Sequence, residues 1–200
     1  MNIIDSWDKL TISKWQEAIS LIGIRIDGFE GSIELLKTLS DLSTEQIHAL
    51  TLVEFNSYLS KLNFLNTECN TKVVDNFTID GVKYLVNWKV ETKTAGQFID
   101  LTTLTKDPEL INQNLHYIMA VICLPKGEKY SSETFEDRAN IFKDKLTMDI
   151  VFPLSVFFYK VLNDSLPNIV NSLNEEVMKM KEKLESEMNK SDLVNTGDGM

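Results

Sequence analysis

Around Asp80-Gly81 the apolar residues alternate, with Phe77 and Ile79 before the pair and Val82, Tyr84, Val86 and Trp88 after it. Alternation marks strands with one buried face, and Asp-Gly between two such runs suits a type I′ turn with positive φ at both central positions. The segment therefore predicts an antiparallel β-hairpin. An isolated hairpin is marginal in water, so its apolar face needs a cover. The flanking sequence has helical rather than alternating period. The expected fold class is mainly α (α+β): a helical domain with one small antiparallel β-hairpin and a C-terminal coiled-coil-like helix.

The organisation follows from where the period changes. Residues 1–66 read as an N-terminal helical region. Ile12, Trp15, Ile19 and Ile22 share a helix face, Ser13 and Gln16 have capping-box spacing, and Gly23 ends the helix. A second stripe runs through Phe29, Ile33, Leu36 and Leu39. Ser43/Gln46 and Thr51/Glu54 are two further capping boxes, the latter opening a helix expected to present Leu52, Phe55, Leu59 and Leu62 on one face. Residues 67–165 read as a hairpin-plus-helix core of the same domain. Thr94 caps a helix with Phe98, Leu101 and Leu104 inward. A further helix runs from about Glu109 to Leu124, apolar on every side from Ile118 onward and hence buried. Thr134 caps a helix carrying Phe135, Arg138, Ala139 and Phe142, and Met148 to Leu162 form a core helix with a Phe152, Val156, Phe157 and Tyr159 cluster.

From Pro167 charged residues surround a sparse apolar seam of Ile169, Leu173, Val177, Met180, Leu184 and Met188. Spacings of four and three keep these on one narrow stripe. Residues 166–190 are thus an expected extended helix and partner-binding segment, with 191–200 a flexible tail.

A net charge of −10 over 200 residues opposes binding to phosphates or anionic lipid, so neither nucleic acid nor membrane is an expected partner. No signal peptide is read at the N-terminus, and the stretch Ile150–Val161 is too short and interrupted to span a bilayer. Cys69 and Cys123 lack ligand spacing and read as free thiols in a reducing compartment. His48 and His116, the only histidines, have no convergent ligands or catalytic partners in the sequence. Asp100, Asp107, Asp137, Asp144 and Asp149 are the remaining candidates, as a Mg²⁺ or acid–base cluster on one reading and as solvated helix charges on the other. Lys126, Lys129, Arg138, Lys143 and Lys145, interleaved with Glu128, Glu133, Glu136, Asp137 and Asp144, are expected to pair within the chain. No catalytic residue, metal or cofactor is expected.

The runs from Phe77 to Trp88, from Thr94 to Leu101 (TAGQFIDL) and from Asn114 to Pro125 (NLHYIMAVICLP), then Asp137-Arg138 and the aromatic pair Phe157-Phe158, together resemble baseplate-hub and tail-assembly proteins of tailed bacteriophages, including those of crAss-like phages. The resemblance covers about residues 70 to 165. It implies a non-enzymatic virion protein acting through protein–protein contacts in tail or neck assembly. Its expected partners are other phage tail or neck proteins, or further copies of itself, and its expected location is the virion after assembly in the host cytoplasm. A cargo protein packaged in the particle and ejected into the host is the alternative. A small metal-dependent enzyme using the aspartates is a third reading. The 169–188 seam departs from what a bare assembly chaperone needs and leaves room for a subunit that stays bound.

Overall fold

A computed structural model describes residues 2–23, 28–69, 72–87, 89 and 92–158. The hairpin is present as β1 (Asn76–Ile79) and β2 (Val82–Val86), with Ile79 opposite Val82 across the two-residue turn. Asp80 has φ 50° and Gly81 φ 80°, the two positive values that a type I′ turn requires. Phe77, Ile79, Tyr84 and Val86 are buried, whereas Val82, at the turn end of the same face, is exposed. The cover is helical. Phe77 and Tyr84 stack at 5.5 Å between ring centroids, and both meet the edge of Phe142, at 5.7 and 4.9 Å.

Eight α-helices lie among the described residues: α1 (Ile12–Gly23), α2 (Phe29–Thr38), α3 (Thr44–His48), α4 (Leu52–Lys61), α5 (Ala95–Thr105), α6 (Ile111–Ile122), α7 (Phe135–Lys145) and α8 (148–158). The fold is mainly α with a three-stranded antiparallel sheet of order β1-β2-β3. The third strand corrects the sequence reading, which continued the helix to Leu124. The helix stops at Ile122, and β3 (Cys123–Pro125) pairs with β2, Leu85 opposite Leu124. Pro125 forces Leu124 out of the helical region, and the bare edge of β2 offers the extended segment hydrogen-bond partners.

Helix α6 is the centre of the core. Leu115, His116 and every residue from Ile118 to Ile122 are buried, and α1, α5 and α7 pack around it. Three capping boxes form with both reciprocal bonds: Ser43/Gln46, Thr51/Glu54 and Thr94/Gln97. The Ser13/Gln16 box does not. The Thr11 carbonyl already accepts from Trp15 N at 2.9 Å and its hydroxyl accepts from Lys14 N, so Thr11 is the cap and Ser13 lies inside α1. Thr134 precedes α7 without a side-chain cap bond.

Two helix faces also differ from expectation. On α4, Phe55 is buried but Leu52, in the first turn, is exposed. On α8 the buried face is Met148, Val151, Leu154 and Phe158, with Phe152 and Val156 outward. Apolar residues nearly all round a helix leave the periodicity without a phase.

The N-terminal strand segment is stitched to distant chain. Ile3 bridges Ser40, with Ile4 N donating to Leu39 O and Asp41 N to Asn2 O. Thr11 bridges Thr147, with Ile12 N donating to Leu146 O at 3.1 Å and Met148 N to Leu10 O at 2.8 Å. Trp7 joins Trp15, Phe64 and Phe152 in an aromatic cluster across the same junction. The chain divides into two units at Phe158, and only the first, Met1–Phe158, falls within the described residues. Trp88, Tyr159 and the side chain of Ile22 lie outside them.

Candidate functional site

The seam of Ile169, Leu173, Val177, Met180, Leu184 and Met188, with the tail after it, lies outside the described residues. The chemistry-bearing residues inside them are dispersed. His48 ends α3 on the surface; His116 is buried in α6. Gln16 Nε2 donates to the carbonyls of Asn112 (2.8 Å) and Gln113 (2.9 Å) and lies 3.3 Å from His116 Nδ1. Its two protons serve those two carbonyls, and an amide nitrogen accepts nothing, so the group beside Nδ1 offers it no acceptor. Burial, and then the charge of Lys143, lower the imidazole's pKa from 6.5 to about 4. A proton on Nδ1 would also face the Gln16 N–H. His116 is therefore neutral at pH 7.

Both cysteines are buried. Cys69 donates to Met148 O, and burial raises the Cys123 thiol far from reactivity. Among the five aspartates, Asp100 accepts from the Tyr130 hydroxyl, Asp107 caps Glu109 N at 3.0 Å and Asp149 accepts from Thr147. Among the described residues no group of three or more His, Cys, Asp or Glu converges as a metal set would.

The expected pairing of the 126–145 charges takes a different form. Lys145 pairs with Asp80 of the hairpin turn, and Arg138 is buried. Arg138 Nε donates to Ala120 O at 2.9 Å, while its Nη2 is buried without an acceptor. This contact belongs to a complete accounting at the C-terminus of α6, whose last four carbonyls have no partner within the helix itself. Met119 O accepts from Cys123 N, Ala120 O from Arg138, Val121 O from Gln97 Nε2 at 3.0 Å and Ile122 O from Asn87 N at 2.9 Å. Three separate segments thus meet at one helix end, where a guanidinium also complements the helix dipole. This is scaffold rather than a reactive centre.

The open surface feature is at the wedge of α2, α3 and α4. Phe29, Leu52 and Val53 are 58%, 69% and 80% exposed. Phe29 lies 4.8 Å from the Phe55 ring, and the two, with Ile33, Ile47, His48, Leu50 and Leu52, line a mostly apolar pocket of about 130 Å³. On the other side of Leu50 a wider pocket of about 550 Å³ is bounded by Asp41, Leu42, Gln46, Ala49 and Glu54. The Thr51 N–H and hydroxyl both donate to Glu54 Oε2, at 2.9 and 2.7 Å, and hold that carboxyl below its usual range. Neither Asp41 nor Glu54 forms an ion pair among the described residues. Assigning Leu52 to the buried stripe hid this surface. The signal available was the run Leu50-Thr51-Leu52-Val53, which holds more apolar residues than one side of a first turn can bury.

Comparison of the chain with protein-family models, with curated proteins and with solved structures returns no significant match.

Proposed function

We propose that the chain acts without catalysis, through protein–protein contacts, in assembly of a bacteriophage tail or neck. The observation that carries the contact part is the exposure of Phe29 and Leu52, which line one pocket, and of Val53 next to Leu52 in the chain. Contiguous apolar surface on an acidic protein is a mark of a binding face. The phage context rests on the resemblance of residues 70 to 165. The partner-binding segment remains the 169–188 seam read from sequence.

Quantitative mass spectrometry of purified particles beside an infected-cell lysate tests the reading. A permanent subunit is present in particles at constant copy number, and an assembly factor is confined to the lysate in complex with tail proteins. A packaged cargo is found in the particle and afterwards inside the newly infected host. Free chain in the lysate, bound to no virion protein, overturns the proposal. For a subunit, Val177→Asp with Leu184→Asp removes the chain from particles while the 1–158 unit keeps its thermal transition.

A further inference from the structure

The two pockets that meet at Leu50 differ in chemistry in a way that specifies a ligand. The smaller is walled by aromatic and aliphatic side chains with the His48 imidazole as its one polar group, and its volume of about 130 Å³ is close to that of apolar cavities that take up a benzene ring. It accommodates one large apolar side chain. The wider pocket carries the Asp41 and Glu54 carboxylates, neither engaged by a cation of the described chain. Glu54 is held in place by Thr51 through Oε2, which leaves Oε1 available to a donor. Further carboxylates surround the wedge, with Glu30 in the first turn of α2 and Glu45 in the first turn of α3. An anionic ligand is repelled here, and a purely apolar one leaves two carboxylates facing it.

We propose that the α2–α3–α4 wedge is a peptide-docking site for a partner segment that carries one phenylalanine or leucine beside a lysine or arginine. The apolar side chain fills the pocket between Phe29, Leu52 and Phe55. The cationic side chain crosses Leu50 to reach Asp41 and Glu54. The apolar anchor supplies the affinity and the charge supplies the discrimination, as in other interfaces built from a buried anchor and a polar rim. The site is read from the N-terminal helices alone and does not depend on the phage reading. A chain missing from particles would leave it intact, and absence of peptide binding would leave the assembly proposal intact.

Methyl-labelled full-length protein titrated with the capped peptide Ac-Phe-Gly-Lys-Lys-NH2 tests this, with Ac-Phe-Gly-Glu-Glu-NH2 and Ac-Gly-Gly-Lys-Lys-NH2 as controls. The expected result is weak, saturable shifts of the Leu50, Leu52, Ile33 and Ile47 methyls with the first peptide. The affinity falls about tenfold or more with either control, and salt weakens it. In Asp41→Asn with Glu54→Gln the lysine peptide loses its advantage over the glutamate peptide; glutamine retains the capping box, so the fold is preserved. Leu52→Ser, at an exposed position, abolishes the shifts. Equal affinity for the lysine and glutamate peptides, shifts elsewhere on the molecule, or no shifts at all would overturn the proposal. So would concentration-dependent shifts of the same methyls without peptide, which would mean that a second copy of the chain covers the wedge.

Discussion

Single residues carry two sharply different sensitivities. The unfolded chain takes up a proton on His116 near pH 6.5, whereas the folded chain resists it until about 4. Between those values the unfolded state binds more protons, so stability falls as pH drops through this window and is level above it. At about 1.4 kcal/mol per pH unit the loss is at most roughly 3 kcal/mol. Urea midpoints at pH 7 and pH 5 should separate markedly in the native sequence and much less in His116→Leu; equal losses would refute the assignment. Gly81 is the second case. A Cβ there meets nothing within 4 Å, so the cost of substitution is backbone strain at φ +80° alone. Gly81→Val should lower stability by roughly 1–2 kcal/mol, and Gly81→Asn by clearly less, because asparagine tolerates this region. The turn was legible because Asp-Gly states its own conformation. The state of His116 was not, since it depends on how deeply the packed helices bury the ring and on Lys143 nearby.

At the level of elements, the capping box shows where a local rule stops. The rule treats glutamate and glutamine alike at its third position. At Glu54, exposed at the start of α4, Glu54→Gln should change stability by under about 0.5 kcal/mol. Gln97 is different. Its Oε1 accepts from Thr94 N to close the α5 box, while its Nε2 donates to Val121 O at the end of α6, and the side chain is buried. One amide joins the start of one helix to the end of another. Gln97→Glu keeps the acceptor, loses the donor and buries a charge against a carbonyl, so it should cost about 3 kcal/mol or more. Chemical denaturation of the two variants side by side checks the contrast; similar small effects would remove the bridge from the account. Two of the three boxes read from sequence form, and a further one closes at Thr94/Gln97, where only the cap was read. The Ser13/Gln16 box failed because Thr11 occupies the cap two residues earlier and Gln16 is committed to α6. Strand β3 was hidden for a related reason: its three residues continue the apolar run of α6, and only Pro125 marked the change.

For the molecule as a whole, the helical class and the hairpin's need of a cover were readable from period and turn chemistry, because both are local; that α7 supplies the cover, through Phe142, was not. The wedge was not, since it needs three helices positioned in space before Leu52 is seen to face outward. With no convergent ligand set among the described residues, protein purified without added metal should contain no stoichiometric zinc, iron or manganese by elemental analysis, and one metal per chain would count against the non-catalytic reading. The pairing of Leu10 and Ile12 with Leu146 and Met148 has a consequence for biosynthesis. At about 5–20 residues per second a ribosome takes on the order of ten seconds to travel between those positions. Leu10 and Ile12, fully buried in the finished protein, spend that interval without their backbone partners. Nascent chains stalled before Leu146 should accordingly be digested readily by protease and held by chaperones, while release of the stall a short way beyond Phe158 should give abrupt protection, so that this unit closes in a single late event.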